Sequence, residues 1–287
     1  MLVAEAIVRS IHYVSTVGLA ALCACPAVLQ VQRQLGFAQL ERILAAIAAA
    51  SWCVLLLFTL LVWNEGNWES LTDPTTWQTL VATSFGRIWC ARFILLLACV
   101  ILSIHPTGRL SSVQIGLAEL ACVSIAATGH AAADPRWVGP LHLGNDALHL
   151  FSATFWPGGL LLLFQLLRPG RLSSLELPRV ISRFSTMSLI AAGVLVATGI
   201  CNALLTVEHW DLRESYLRTL AIKVALVVML LFVASINLLQ RRPALARAPS
   251  DSERDRVRGA IRNLVSWECA LALMVFVATG FLTLSPP

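Results

Sequence analysis

Residues 43–62 read ILAAIAAASWCVLLLFTLLV, twenty positions without a charge. A helix rises 1.5 Å per residue, so this run covers about 30 Å, the thickness of a bilayer's hydrocarbon core. It is continuously apolar. A strand of a membrane barrel would alternate instead, so the run reads as a membrane-crossing helix. Seven more stretches have the same character, giving spans at about 3–29, 43–62, 88–104, 113–133, 141–167, 181–207, 216–239 and 261–284. The whole chain agrees with this reading. Of its 287 residues only 13% are charged and 57% are hydrophobic, with mean hydropathy +0.76. A soluble domain carries about 25% charged residues. The expected fold is an all-α integral membrane protein, one domain over 1–287 and a bundle of about eight transmembrane helices.

The first span is not expected to be a cleaved signal. Glu5 precedes Arg9, and the apolar run is longer than a signal's h-region. The run Leu22-Cys23-Ala24-Cys25 loosely echoes a lipoprotein cleavage site, but seven later spans argue against that use. Loop charge sets the orientation. Fourteen arginines fall in the odd-numbered loops and five on the other side, which also holds Glu65, Glu69, Asp73, Asp134, Glu208, Asp211 and Glu214. The odd loops are therefore expected to be cytoplasmic and both termini outside, in the periplasm of a Gram-negative host. A net charge of +5, spread along the loops, gives no nucleic-acid patch. The segment 63–89 is the longest outer loop and carries Trp63, Trp68, Trp77 and Trp89. Indole rings favour the headgroup layer, so the loop reads as a flap on the outer bilayer surface with a short helix near 75–83.

Five of the six histidines lie on the expected outer side: His12, His130, His142, His149 and His209, with His105 alone on the inner side. His142, Asp146 and His149 are spaced i, i+4, i+7, which places them on one helix face. His130 and Asp134 are i, i+4 at the end of the preceding span, and the linker 135–140 is short, so the two helices are neighbours. Imidazoles with a carboxylate suit a borderline metal such as Cu(II) or zinc, while thiolate suits Cu(I). The carboxylates could instead orient the imidazoles. Ionisable groups within spans are costly and mark functional sites. The candidate metal-binding set is therefore His12, His130, His142, His149 and Asp146. Against it, a single interfacial histidine often just faces water or headgroups.

Three further groups form a candidate polar path. Lys223 lies about 10 Å into the seventh span, near the height of Asp146, with which it could pair. Glu119 and Glu268 lie about 10 Å in from the inner side, as exit-path groups or as protonated, hydrogen-bonded core residues. All eight cysteines fall in apolar runs and none forms paired CxxC motifs, so small packing residues are the default. Cys23 and Cys25 precede Pro26, but positions i and i+2 diverge by about 200° on a helix and chelate only if the helix breaks.

Several stretches together carry a family resemblance: TSFGRIWCARF from Thr83, GHAAA from Gly129, HLGNDALHLFSATFWPGGLLLL from His142, RFSTMSLIAAGVLVATGICNALL from Arg183, YLRTLAIKVALVVMLL from Tyr216 and NLVSWECALALMVFVATG from Asn263. In this order they resemble the CopD/PcoD family of bacterial inner-membrane copper proteins over span 1 and residues 85–287. The resemblance implies copper, Cu(I) or Cu(II), moved toward the cytoplasm. It also implies a periplasmic CopC-like copper-binding partner as a separate chain. Family-like positions are His12, His130, His149, Trp156, Lys223 and Glu268; His142, Asn145 and Asp146 are departures. Two other readings stand beside copper transport: a haem-binding b-type electron carrier, with histidines from different helices as axial ligands, and a non-transporting assembly scaffold. No Walker loop, HExxH helix or nucleophile elbow is present, and no enzyme activity is expected.

Overall fold

The computed structural model describes residues 2–31, 35–104, 112–129, 137–207 and 209–285, and every regular element among them is helical. In chain order the helices are α1 (Leu2–Leu29), α2 (Leu35–Trp63), α3 (Pro74–Ala82), α4 (Ser84–Ile104), α5 (Ser112–Val123), α6 (Gly139–Ala153), α7 (Gly159–Leu166), α8 (Glu176–Thr206), α9 (Ser215–Ile236), α10 (Arg242–Arg247) and α11 (Asp251–Leu282). A π-helical turn, Thr154–Gly158, joins α6 to α7, and another, Asn237–Arg241, joins α9 to α10. Both are wide turns near a proline. Pro157 has no N–H to give to the preceding turn, and an inserted residue absorbs that gap.

Among the described residues seven segments are long and apolar enough to cross a bilayer: Leu2–Leu29, Phe37–Trp63, Ser84–Ile104, Gly139–Leu166, Glu176–Thr206, Ser215–Arg247 and Asp251–Leu282. The described part of the run expected as one helix over 113–133, which ends at Gly129, departs from that pattern. Its α-helix ends at Val123, tightens into a 3₁₀ turn at Ala126–Thr128, and the apolar segment Ser112–Thr128 is shorter than a span. The break has a cause across the packing interface: Arg92 on α4 takes the Ser124 carbonyl and hydroxyl and the Thr128 hydroxyl.

Helix α1 is the axis of the bundle, lined on nearly every side by α2, α5, α7, α8, α11 and the first π turn. Small residues make this possible, because without a hydrophobic drive in lipid, close backbone approach supplies the packing energy. At Gly280 of α11 an added Cβ would stand 2.5 Å from the Ala6 carbonyl of α1 and against Ser10. At Gly158 it would stand 2.9 Å from Ala21. The first contact sets the start of α1 and the end of α11 together at one end of the bundle. One buried cluster joins α1 to α2, α4 and α5; a second joins α1 to α7, α8, α9 and α11. Helix α9 is the least enclosed of the long helices and packs chiefly on α11.

Between α2 and α4 the chain forms a 3₁₀ turn, Trp68–Thr72, and then α3, close to the short helix expected there. Asp73 caps α3 by accepting from the Thr75 amide at 2.9 Å, and Pro74 occupies the first turn. Trp63, Trp68 and Trp77 are exposed, as membrane anchors would be, but Trp89 is not one of them. It is buried, its ring centroid 5.5 Å from that of Trp52, with the Arg92 guanidinium 5.7 Å from its ring.

Candidate functional site

Helices α6 and α8 meet along a polar seam that lies within two membrane-length segments. On α6 the contributing residues are His142, Asn145, Asp146 and His149. On α8 they are Thr198, Asn202 and Thr206, spaced i, i+4, i+8 on a single face. The two rows match level by level. His149 Nδ1 lies 2.9 Å from Thr198 Oγ1. Asn145 Nδ2 donates to the Thr198 carbonyl at 2.9 Å and to Asn202 Oδ1 at 2.6 Å. Asn202 Nδ2 donates to Asp146 Oδ1 at 3.1 Å. His142 Nε2 lies 3.5 Å from Thr206 Oγ1, at the limit of a hydrogen bond. Gly199 gives the His149 ring its place, since a Cβ there would already stand 3.4 Å from Cε1.

The partners of Thr198 bear on the tautomer of His149. The single hydroxyl proton of Thr198 goes to the Val194 carbonyl at 2.7 Å. With that proton on Val194, the short contact to His149 is Nδ1–H donating to Thr198 Oγ1, and the lone pair is then on Nε2. His12 reaches the same state in a different seam. Its Nδ1 faces the Ala48 carbonyl at 3.2 Å and Ser51 Oγ at 3.1 Å, and the Ser51 proton is itself given to Ala48. A carbonyl only accepts, so Nδ1 carries the proton. The Nε2 lone pair of His12 is buried and has no hydrogen-bond partner. Imidazoles held through Nδ1–H with Nε2 bare are in the state that metal ligation requires.

The expected residues are thus divided between two seams. His142, Asp146 and His149 share the α6–α8 seam; His12 sits between α1 and α2, within reach of the Arg92 and Arg9 charges. His130 and Asp134 lie outside the described residues, as does His105. Among the described residues no three histidine, cysteine, aspartate or glutamate side chains stand at metal-ligand spacing. Lys223 does not form the direct ion pair expected of it. Half-buried on α9, it interacts with Asp146 and His149 through space.

The two carboxylates of the expected path sit deeper. Glu119 on α5 accepts from the Thr154 hydroxyl at 3.4 Å through Oε2, while its buried Oε1 has no partner. Glu268 on α11 is buried and accepts from Asn237 in the second π turn. Glu268 and Asn237 line a cavity of ≈ 210 Å³ with Trp156 and Phe184. Helix α1 runs unbroken through Pro26 to Leu29. Cys23 and Cys25, about 200° apart on that unbroken helix, face different neighbours and do not chelate together.

Arg92 escaped the sequence reading, although it is an arginine inside an apolar run and only 2% exposed. The i, i+4, i+8 row of Thr198, Asn202 and Thr206 also went unread, because hydroxyls and amides in a long apolar helix gain meaning only beside the partner row.

Comparison with known proteins gives the seams a context. A family model described as copper resistance protein D matches residues 178–282, and one described as the copper resistance protein D-like N-terminal domain matches residues 1–140. The chain is 26% identical to inner membrane protein YebZ of Escherichia coli, over 80% of this chain and 80% of that protein. It is 29% identical to copper resistance protein D of Pseudomonas syringae, over 74% of this chain and 72% of that one. Identity to copper transport protein CutJ of Bacillus subtilis is 31% over 77% of this chain, which spans only 41% of that larger protein. No solved structure matches.

Proposed function

The chain belongs to the copper resistance protein D family, and on that premise we propose that it carries copper across the bacterial inner membrane, from the outer face toward the cytoplasm. The observation that carries the reading is the shared state of His12 and His149. Each is held by a hydrogen bond at Nδ1, and the Nε2 of His12 is buried without a partner. A histidine serving only to cross-link helices would have no reason to leave its second nitrogen without a partner, as His12 does.

In this account copper enters at the outer ends of the helices, where both termini also lie. It passes between imidazoles of two seams, His12 in one and His142 and His149 in the other, with His130 as a further ligand and Asp146 as a ligand or as the group orienting them. Asn202 and Thr198 hold that row in register from α8. Lys223 balances the Asp146 charge and competes with the metal for it, so occupancy is kept reversible. Glu119, and then Glu268 with Asn237, form the polar steps below. A soluble copper-binding protein of the CopC kind supplies the metal on the outer side, beside the exposed tryptophans of the α2–α4 connection. The metal is cargo here, so its site must release as well as bind.

The test is the copper content and optical spectrum of detergent-purified protein, loaded under oxidising and under reducing conditions, beside His12→Ala and His149→Ala. Copper held by the wild type and reduced in both variants is expected. Undiminished copper in both variants would refute the histidine site. A haem spectrum lost with His149 would replace transport by electron transfer, and neither metal nor haem under any loading would leave a scaffold.

A further inference from the structure

Below the histidine level, two thiols from different helices converge on one residue. Cys25 of α1 donates to the Thr154 carbonyl at 3.7 Å, and Cys122 of α5 lies 3.9 Å from the Thr154 hydroxyl. Both cysteines and Thr154 are 0% exposed. Thr154 is the first residue of the π-helical turn, where the helix widens ahead of Pro157. Glu119 completes the group. It accepts from the same Thr154 hydroxyl, its charge reaches both sulfurs, and its buried Oε1 is without a partner.

Ordinary core packing explains a single buried cysteine. It does not explain two thiols, a hydroxyl and an unsatisfied carboxylate oxygen gathered on one widened turn in a membrane interior. A buried acceptor left unmade costs about 1–3 kcal/mol. A cation would satisfy it.

The level fits a second station. Thr154 lies five residues beyond His149 on the same helical segment, about 7–8 Å deeper, and Cys25 lies thirteen residues beyond His12, about 20 Å deeper. The donors also change kind along that line, from imidazole above to sulfur below, and sulfur selects the cuprous ion.

We propose that Cys25 and Cys122 form an inner cuprous-ion site, with Glu119 and Thr154 as its oxygen neighbours, deepening the copper reading on which it rests. Cu(I) needs only two sulfur donors, and both sulfurs lie within 4 Å of Thr154. Binding forms two Cu–S bonds; each thiol that becomes a thiolate releases one proton to water, and copper stays Cu(I) throughout.

The experiment is an anaerobic titration of the full-length purified protein with Cu(I) against a competing cuprous chelator. The proteins compared are the wild type, Cys25→Ala, Cys122→Ala, His149→Ala and, as a control thiol, Cys23→Ala. The copper-edge X-ray absorption of the loaded wild type is recorded alongside, which needs no variant to fold. Expected is one cuprous equivalent with sulfur neighbours, weakened at least tenfold in Cys25→Ala and in Cys122→Ala but retained in Cys23→Ala and His149→Ala. Cuprous binding that ignores Cys25 and Cys122, or a copper spectrum without sulfur, would overturn this site and leave the histidine reading standing. A wild type that takes up no copper in either oxidation state would overturn both.

Discussion

The α6–α8 seam rests on a short hydrogen bond between Asn145 and Asn202, and a double-mutant cycle measures it directly. Asn202→Ala removes two bonds, one from Asn145 at 2.6 Å and one to Asp146 at 3.1 Å. Asn145→Ala removes two as well, to Asn202 and to the Thr198 carbonyl. The bond between the two asparagines is common to both losses, so the double variant loses three bonds rather than four. The scale must come from lipid. Interhelical hydrogen bonds in a membrane average about 0.6 kcal/mol and reach about 1.7 kcal/mol, less than low dielectric alone would imply, because the unfolded chain in a membrane also finds partners. Each single variant should therefore lose about 1–3 kcal/mol. The shared bond is short and enclosed between two helices, so the coupling should fall in the upper half of the range, about 1–1.7 kcal/mol. The assay is reversible unfolding in mixed detergent and dodecyl sulfate micelles, followed by far-ultraviolet circular dichroism. Single losses that simply add in the double variant would refute the seam as drawn.

Other expectations follow from the packing. Gly280→Ala drives a methyl group into the Ala6 carbonyl, so α1 and α11 must part, at a cost of about 1–3 kcal/mol in the same unfolding assay; unchanged stability would contradict the close crossing. Arg92→Lys keeps the charge but loses the planar fork that spans Ser124 and Thr128, and should cost about 2–4 kcal/mol. A neutral result would mean that Arg92 does not hold the broken end of α5. Asp73 titrates below the ordinary carboxylate value, first because the Thr75 hydroxyl and then because the Thr75 amide donates to it. A depressed folded value means the cap contributes fully above about pH 4 and is lost as pH falls through the lower folded value. The fluorine signal of 5-fluorotryptophan at Trp77, whose indole N–H donates to the Leu71 carbonyl at 2.9 Å, should shift on acidification in the wild type. It should stay flat in Asp73→Asn over the same range; the same shift in both would contradict the cap.

The bundle was legible because lipid imposes one rule, length of uninterrupted apolar helix, and seven segments obey it. Its failures are informative. The run 113–133 looks continuous only when read alone. The interruption after Val123 is made by Arg92 from another helix, and a hydropathy window cannot see a partner. Trp89 reads as an interfacial anchor by composition, yet it packs tilted against Trp52 and under Arg92. The His142–Asp146–His149 face was readable from the 3.6-residue repeat. Its meaning came from Thr198, Asn202 and Thr206 on α8, which answer it turn for turn. Cys25 was read against its neighbour Cys23, whereas Cys122, 97 positions away, meets the same Thr154. Spacing along one chain segment predicts shared faces; it cannot predict which face of another helix will meet them.

Transport itself is the claim to test most directly. Purified protein in sealed liposomes, with a copper-sensitive dye inside and copper added outside under reducing conditions, reports flux as a fluorescence change in time. The account predicts copper entry with the wild type well above that of protein-free liposomes, and a fall to that background in His149→Ala. Entry that is no faster than in empty liposomes, or that is unchanged by His149→Ala, would contradict it.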